Sequence, residues 1–153
     1  MKRSLIAMAF GTFGLGIAMM GILGSIAQDL QISITQAGHL ISAYALGVCV
    51  GSPALLLVRK FPLKRILLLL SVIILTGNLC AVAAPNFTML LIARFLSGFP
   101  HGAYFGVASI IAQRLAPEGK ATQAVSIMMA GMTVATVFGV PLGTALSNSI
   151  SWR

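Results

Sequence analysis

Acidic side chains are nearly missing from this chain. Asp29 and Glu118 are the only two, and charged residues of both signs make up 8% of the 153 residues. A soluble domain carries about 25% charged residues, most of them on the surface that meets water. Ten Lys plus Arg and two acids leave too little for such a surface, so a water-soluble globular domain is excluded. Cysteine is scarce as well. Cys49 and Cys80 both lie inside apolar runs without metal-ligand spacing, and they read as small packing residues, not as a disulfide or a metal site. Catalytic patterns are missing too: there is no G-x-S-x-G, no H-E-x-x-H and no paired Cys. Gly119-Lys120 is followed by Ala121 and lacks the upstream glycine of a phosphate-binding loop. An enzyme is not expected, and neither is a cofactor or a metal ion.

What the chain has in quantity is apolar. Hydrophobic types make up 58% of it, and the mean hydropathy is +1.01. A helix needs about 20 predominantly apolar residues to cross the hydrocarbon core. Five stretches satisfy this, roughly 5–27, 36–58, 66–84, 88–112 and 121–146, and only the fourth carries a charge, Arg94. The expected fold class is therefore an all-α membrane protein of five transmembrane helices, with the lipid bilayer as its first partner. Ser25-Ile26-Ala27 has the look of a signal-peptidase site. The run before it exceeds the apolar core of about 7–15 residues in a signal peptide, and four more spans follow, so it reads as a span.

The net charge of +8 does not point to nucleic acid. A nucleic-acid binder gathers its basic residues on a solvated face. Here they fall in short connections: Lys2 and Arg3; Arg59, Lys60, Lys64 and Arg65; Arg114 and Lys120. The alternate connections, 28–35 and 85–87, contain no Lys or Arg. Basic loops stay on the cytoplasmic side, so the amino terminus is expected in the cytoplasm. Asp29 and Glu118 then lie on opposite sides of the membrane and cannot act as an acid–base pair. Five spans end the chain on the outer side, where Arg153 is the lone basic exception, and the sequence is expected to stop partway through a larger protein.

Within the spans, small residues recur at four-residue spacing. Gly47 and Gly51 do so in the second, Gly98, Gly102 and Gly106 in the fourth, and Gly139 and Gly143 in the fifth. This spacing keeps them on one helix face and lets another backbone approach closely, which predicts a packed bundle. Pro53, Pro100 and Pro141 interrupt three spans, and each removes a backbone donor. Arg94 is the foremost candidate for function. It lies about 9 Å into the fourth span at 1.5 Å per residue. A charge at that depth is costly and usually faces a cavity or a partner, although a long stem can also snorkel to the interface. His101 is seven residues on and Tyr104 three further, so Arg94, His101 and Tyr104 are read as a polar stripe on a cavity. His39 is read as interfacial.

Several segments, taken together, resemble the major facilitator superfamily, in particular its twelve-span drug:proton antiporter branch and arabinose-efflux-permease-like members. They are Gly11-Thr12-Phe13-Gly14-Leu15-Gly16; Ala37-Gly38-His39-Leu40-Ile41-Ser42-Ala43-Tyr44-Ala45-Leu46-Gly47; Gly51 with Arg59-Lys60-Phe61-Pro62-Leu63-Lys64-Arg65; Arg94-Phe95-Leu96-Ser97-Gly98-Phe99-Pro100-His101-Gly102-Ala103-Tyr104-Phe105-Gly106; Gly131 followed by Gly139-Val140-Pro141-Leu142-Gly143; and Ser151-Trp152-Arg153. Their order and spacing are more specific than any one of them.

The resemblance implies the amino-terminal part of a transporter with two six-helix halves in a bacterial-type inner membrane, here five helices of the first half. Its partners would be a small-molecule solute (a sugar, a drug or another small compound), protons, and the missing carboxy-terminal half. It assigns proton coupling to Arg94, a loop latch to Gly51, Arg59, Lys64 and Arg65, and helix packing and bending to Gly98, Gly102, Gly106, Gly131, Gly139, Pro141 and Gly143. The chain departs from the family pattern in the first span, where Ile17-Ala18 runs straight into Met19-Met20-Gly21 without the usual acid followed by Phe. No span holds an acid, and the loop motif lacks the acid that many relatives carry. Transport by this chain alone is not expected.

Overall fold

The computed structural model describes residues 19–58, 60–150 and 152, and among these every regular element is helical. A short 3-10 turn, Met19–Ile22, leads into helix α1, Leu23–Asp29. Four long helices follow: α2, Ile34–Val58; α3, Leu63–Val82; α4, Phe87–Arg114; and α5, Ala121–Ser149. Each of the four is long and apolar enough to cross a membrane. With 28 residues, α4 is about 42 Å long. Most of the first expected span, including the Gly11–Gly16 motif, lies outside the described residues, as do Arg59 and Arg153 of the basic segments.

Local chemistry sets the helix starts. Ser33 and Gln36 form a reciprocal capping box on α2: the Ser33 amide donates to Gln36 Oε1 at 3.0 Å, and the Gln36 amide donates to Ser33 Oγ at 3.1 Å. Asn86 caps α4 by accepting from the Met89 amide at 2.9 Å. Pro62 stands just before α3, where its missing N–H costs no helical bond. Gly119, at φ +75°, supplies the left-handed residue of the α4–α5 connection. Inside the helices, hydroxyl groups turn back on their own backbone, as Ser52 does to the Val48 carbonyl at 2.8 Å and Thr144 to the Val140 carbonyl at 2.9 Å. A hydroxyl satisfied in this way can sit in an apolar environment.

Helix α4 is the hub. It packs against α2 on one side and α3 on another, and α5 meets it as well. Two apolar clusters lie at opposite ends of the molecule. One joins Ile66, Leu67, Leu70 and Ile74 of α3 to Ala103, Tyr104, Val107 and Ala108 of α4 and Met128 of α5. The other joins Ile22 and Ile26 to Leu40, Ala81, Ala84, Leu90 and Ala93. Large apolar side chains also cover the outside: Leu68, Val72, Leu75 and Leu79 on α3, and Val137, Phe138, Leu142 and Leu146 on α5, are exposed. A surface of this kind suits hydrocarbon and not water.

The α2–α4 seam is close because of glycine. A Cβ on Gly98 would overlap the Tyr44 carbonyl oxygen, and one on Gly47 would overlap the Phe95 carbonyl oxygen, so each helix presents its glycine to the backbone of the other. The α3–α4 seam repeats the device at Gly77, where a Cβ would stand 2.8 Å from Ser97 Cα.

Candidate functional site

The candidate site lies on α4 between the two apolar clusters, against α2. Arg94 comes one residue after Ala93 of one cluster, and His101 two residues before Ala103 of the other. Counted from Phe87, Arg94 is about 10 Å along the helix. It is not splayed toward the surface: only 3% of it is exposed. Its guanidinium carbon lies 5.9 Å from the centroid of the Tyr44 ring on α2, within range of a cation–π attraction. Arg94 Nε is fully buried and has no hydrogen-bond partner among the described residues.

Tyr44 links Arg94 to His101. Its hydroxyl and His101 Nδ1 share a hydrogen bond, with the phenol as donor when the imidazole carries its proton on Nε2. The two rings meet edge to face, centroids 5.5 Å apart at 89°. His101 also lies 5.3 Å from the Phe105 ring. The imidazole is therefore held by a tether on one side and an aromatic neighbour on the other, and the Tyr44 ring is fixed under the guanidinium. Ser97, one turn beyond Arg94, donates to the Arg94 carbonyl at 3.0 Å.

Of the three residues of the expected stripe, the structure brings Arg94 and His101 together on Tyr44. Tyr104 is elsewhere: it is 2% exposed and belongs to the apolar cluster with α3 and α5. At 3.6 residues per turn, His101 is displaced by about 20° from Arg94, but Tyr104 by about 80°, enough to face a different helix. Tyr44 completes the site although it is not among the residues expected to form it. A signal for it was present, since Tyr44, Gly47 and Gly51 are three and seven residues apart and share one face.

The latch and packing residues are distributed. Gly51 is buried against Phe99 of α4, while Lys64 and Arg65 are exposed on the first turn of α3. Gly102 approaches Ser52 of α2, and Gly106 is half-buried. On α5, Gly131 is buried, Gly139 and Gly143 are half-buried, and Pro141 is exposed. His39 is exposed near the start of α2. Two further contacts tie the end of α5 to α1: Ser147 Oγ donates to Ser25 Oγ at 3.0 Å, and Trp152 Nε1 donates to Asp29 Oδ2 at 3.0 Å.

Comparison with known proteins fits this arrangement. The chain is 48% identical to a protein of Escherichia coli (strain K12) named "Putative transporter AraJ", aligning over 100% of the chain and 40% of that protein. It is 40% identical to the "Inner membrane transport protein YdhP" of the same organism, over 97% of the chain and 39% of the relative. It is 42% identical to the "Uncharacterized MFS-type transporter YfhI" of Bacillus subtilis (strain 168), over 93% of the chain and 37% of the relative. The chain thus spans about two-fifths of the length of these curated relatives, 37% to 40%. The sequence profile of the Major Facilitator Superfamily matches residues 4–153, nearly the whole chain, and the chain belongs to that family of membrane transporters.

Proposed function

We propose that this chain is the amino-terminal portion of a transporter that expels a small solute (a sugar, a drug or a related compound) at the expense of a proton gradient. The observation that carries the reading is Arg94, 3% exposed, about 10 Å into a membrane-length helix and held by Tyr44. A charged side chain in a span costs about 2.5–3.5 kcal/mol on insertion scales, and it is retained where transport chemistry uses it. Arg94 and His101, with Tyr104 behind them, are assigned to proton coupling and to the wall of the solute path. Gly51, Arg59, Lys64 and Arg65 are assigned to a latch on the α2–α3 connection. The glycines at 98, 102, 106, 131, 139 and 143, with Pro141, are assigned to the packing and bending that let helices rock. The distribution of Lys and Arg supports a cytoplasmic amino terminus in a bacterial-type inner membrane.

A second reading is a membrane segment that does not transport. What favours it is length, because the chain covers 40% of the AraJ relative and a solute path in this fold runs between two halves. One experiment separates the readings. The chain is expressed alone and together with the carboxy-terminal segment of the AraJ relative, and export of a labelled solute panel is followed in vesicles under an imposed pH gradient. Flux that appears only with the added segment, collapses with a protonophore and falls about tenfold in Arg94→Ala supports the proposal. Equal flux with Arg94→Ala would remove Arg94 from the mechanism.

A further inference from the structure

The charge on Arg94 has no counter-charge in its own membrane segment. The chain has two acids: Asp29 is the last residue of α1, and Glu118 lies in the α4–α5 connection. No acid occurs in residues 1–18 either. The other nine Lys and Arg residues also lie outside the expected spans, so the site carries one isolated positive charge. Its Nε donor is buried without a hydrogen-bond partner among the described residues, and the π face of Tyr44 gives only partial compensation. A buried cation normally recovers its lost hydration through a hydrogen-bonded anion.

We infer that Arg94, positioned by Tyr44 and His101, forms a binding site for the carboxylate of a small organic monoanion. The inference rests on the transport reading and narrows its substrate class. Three features of the site select this chemistry. A carboxylate is planar and accepts two parallel N–H bonds from a guanidinium, and Nε–H is one of the donors that can take part. A single negative charge matches the single positive one, whereas a phosphate dianion would leave a net charge buried among the apolar residues of α2 and α4. The remainder of the solute must be largely apolar or neutral, because the seam that holds the site is apolar: Phe105 lies against His101, and Gly47 of α2 closes on the Phe95 backbone. Tyr44 and His101 act through orientation. The hydrogen bond between them fixes the ring that covers one face of the guanidinium.

The test uses the 153-residue chain in nanodiscs of zwitterionic phosphatidylcholine, with its arginines labelled with nitrogen-15. The Arg94 Nε–H resonance is assigned by its loss in Arg94→Lys. Benzoate is expected to move that resonance downfield in a saturable way, while benzyl alcohol, of the same shape and neutral, leaves it in place. Equilibrium dialysis with radiolabelled benzoate is expected to show binding about tenfold weaker in Arg94→Lys, because an ammonium lacks the planar fork. In Tyr44→Phe, which keeps the ring and loses the tether, the loss is expected to be smaller, about threefold. A resonance that ignores benzoate, or that moves equally with benzyl alcohol, overturns the inference without need of any variant. Displacement of benzoate by chloride at equal concentration, or a resonance that responds to added phosphatidylglycerol instead, overturns the assignment to an organic carboxylate. The transport reading fails separately. Benzoate binding with no flux from the completed transporter would remove transport and leave the site, and flux of neutral solutes with no carboxylate binding would do the reverse.

Discussion

Helices α4 and α5 are nearly equal in length, 28 and 29 residues, and each carries a proline and glycines at four-residue spacing. Their positions could hardly differ more. Along α4, Leu90, Ala93, Arg94, Ser97, Gly98, Pro100, Ala103, Tyr104, Val107, Ala108 and Ala112 are buried, and neighbours cover it on two sides. Along α5, Met128 and Gly131 are buried, and Val137, Phe138, Leu142 and Leu146 face outward. Pro100 is enclosed where Pro141 is exposed. Repeated glycine therefore does not by itself make a central helix. It does so where the facing helix offers a matching row, as Gly47 and Gly51 of α2 do for Gly98 and Gly102 of α4.

The contrast is open to direct attack. The largest effect is expected from Gly98→Leu, which drives a side chain into the Tyr44 backbone. Overpacking of this kind costs about 3 kcal/mol, and unfolding of the chain in mixed micelles would measure it. Ala145→Leu on the exposed side of α5 is expected to stay within about 0.5 kcal/mol. Equal losses at the two positions would break the distinction between hub and periphery.

Arg94→Met comes next and has the opposite sign. Removing an uncompensated charge from inside α4 is expected to raise stability by about 2 kcal/mol while abolishing the benzoate response. A loss of stability instead would make Arg94 a structural residue and return the site to packing. Gly77→Ala sharpens the picture on the α3 side of the hub, where the new methyl meets Ser97 backbone atoms at 2.8 Å. A loss of about 1 kcal/mol is expected there, against a small gain in Gly24→Ala, where nothing lies within 4 Å. The smallest effect belongs to the edge of α5. Trp152→Phe removes one partly exposed hydrogen bond to Asp29 and is expected to cost about 0.5 kcal/mol in the same unfolding assay.

The division between what was legible in the sequence and what was not follows the range of the interactions. The membrane-length helices were legible because transfer into lipid depends on the run of apolar residues itself, and such a run is continuous in sequence. Arg94 stood out for the same reason, as the one charge inside a run. The glycine rows announced close packing, and Gly47 and Gly98 achieve it. Gly77 was not singled out, because a lone glycine in Leu75-Thr76-Gly77-Asn78 has no partner at four-residue spacing.

By itself, then, the sequence determined that the chain belongs in lipid, which stretches form its long helices, and that the one positive charge inside them has no acid in its own spans to answer it. Only the tertiary structure decided what stands beside that charge. Tyr44 reaches His101 across 57 positions of chain, and Tyr104 turns away toward α3 although it is ten residues from Arg94 on the same helix. The reason is geometric. Each residue turns a helix by about 100°, so a small angular difference selects a different neighbour. Which neighbour stands in that direction is set by the pairing of backbones at glycine, a relation between helices that no single run of residues contains.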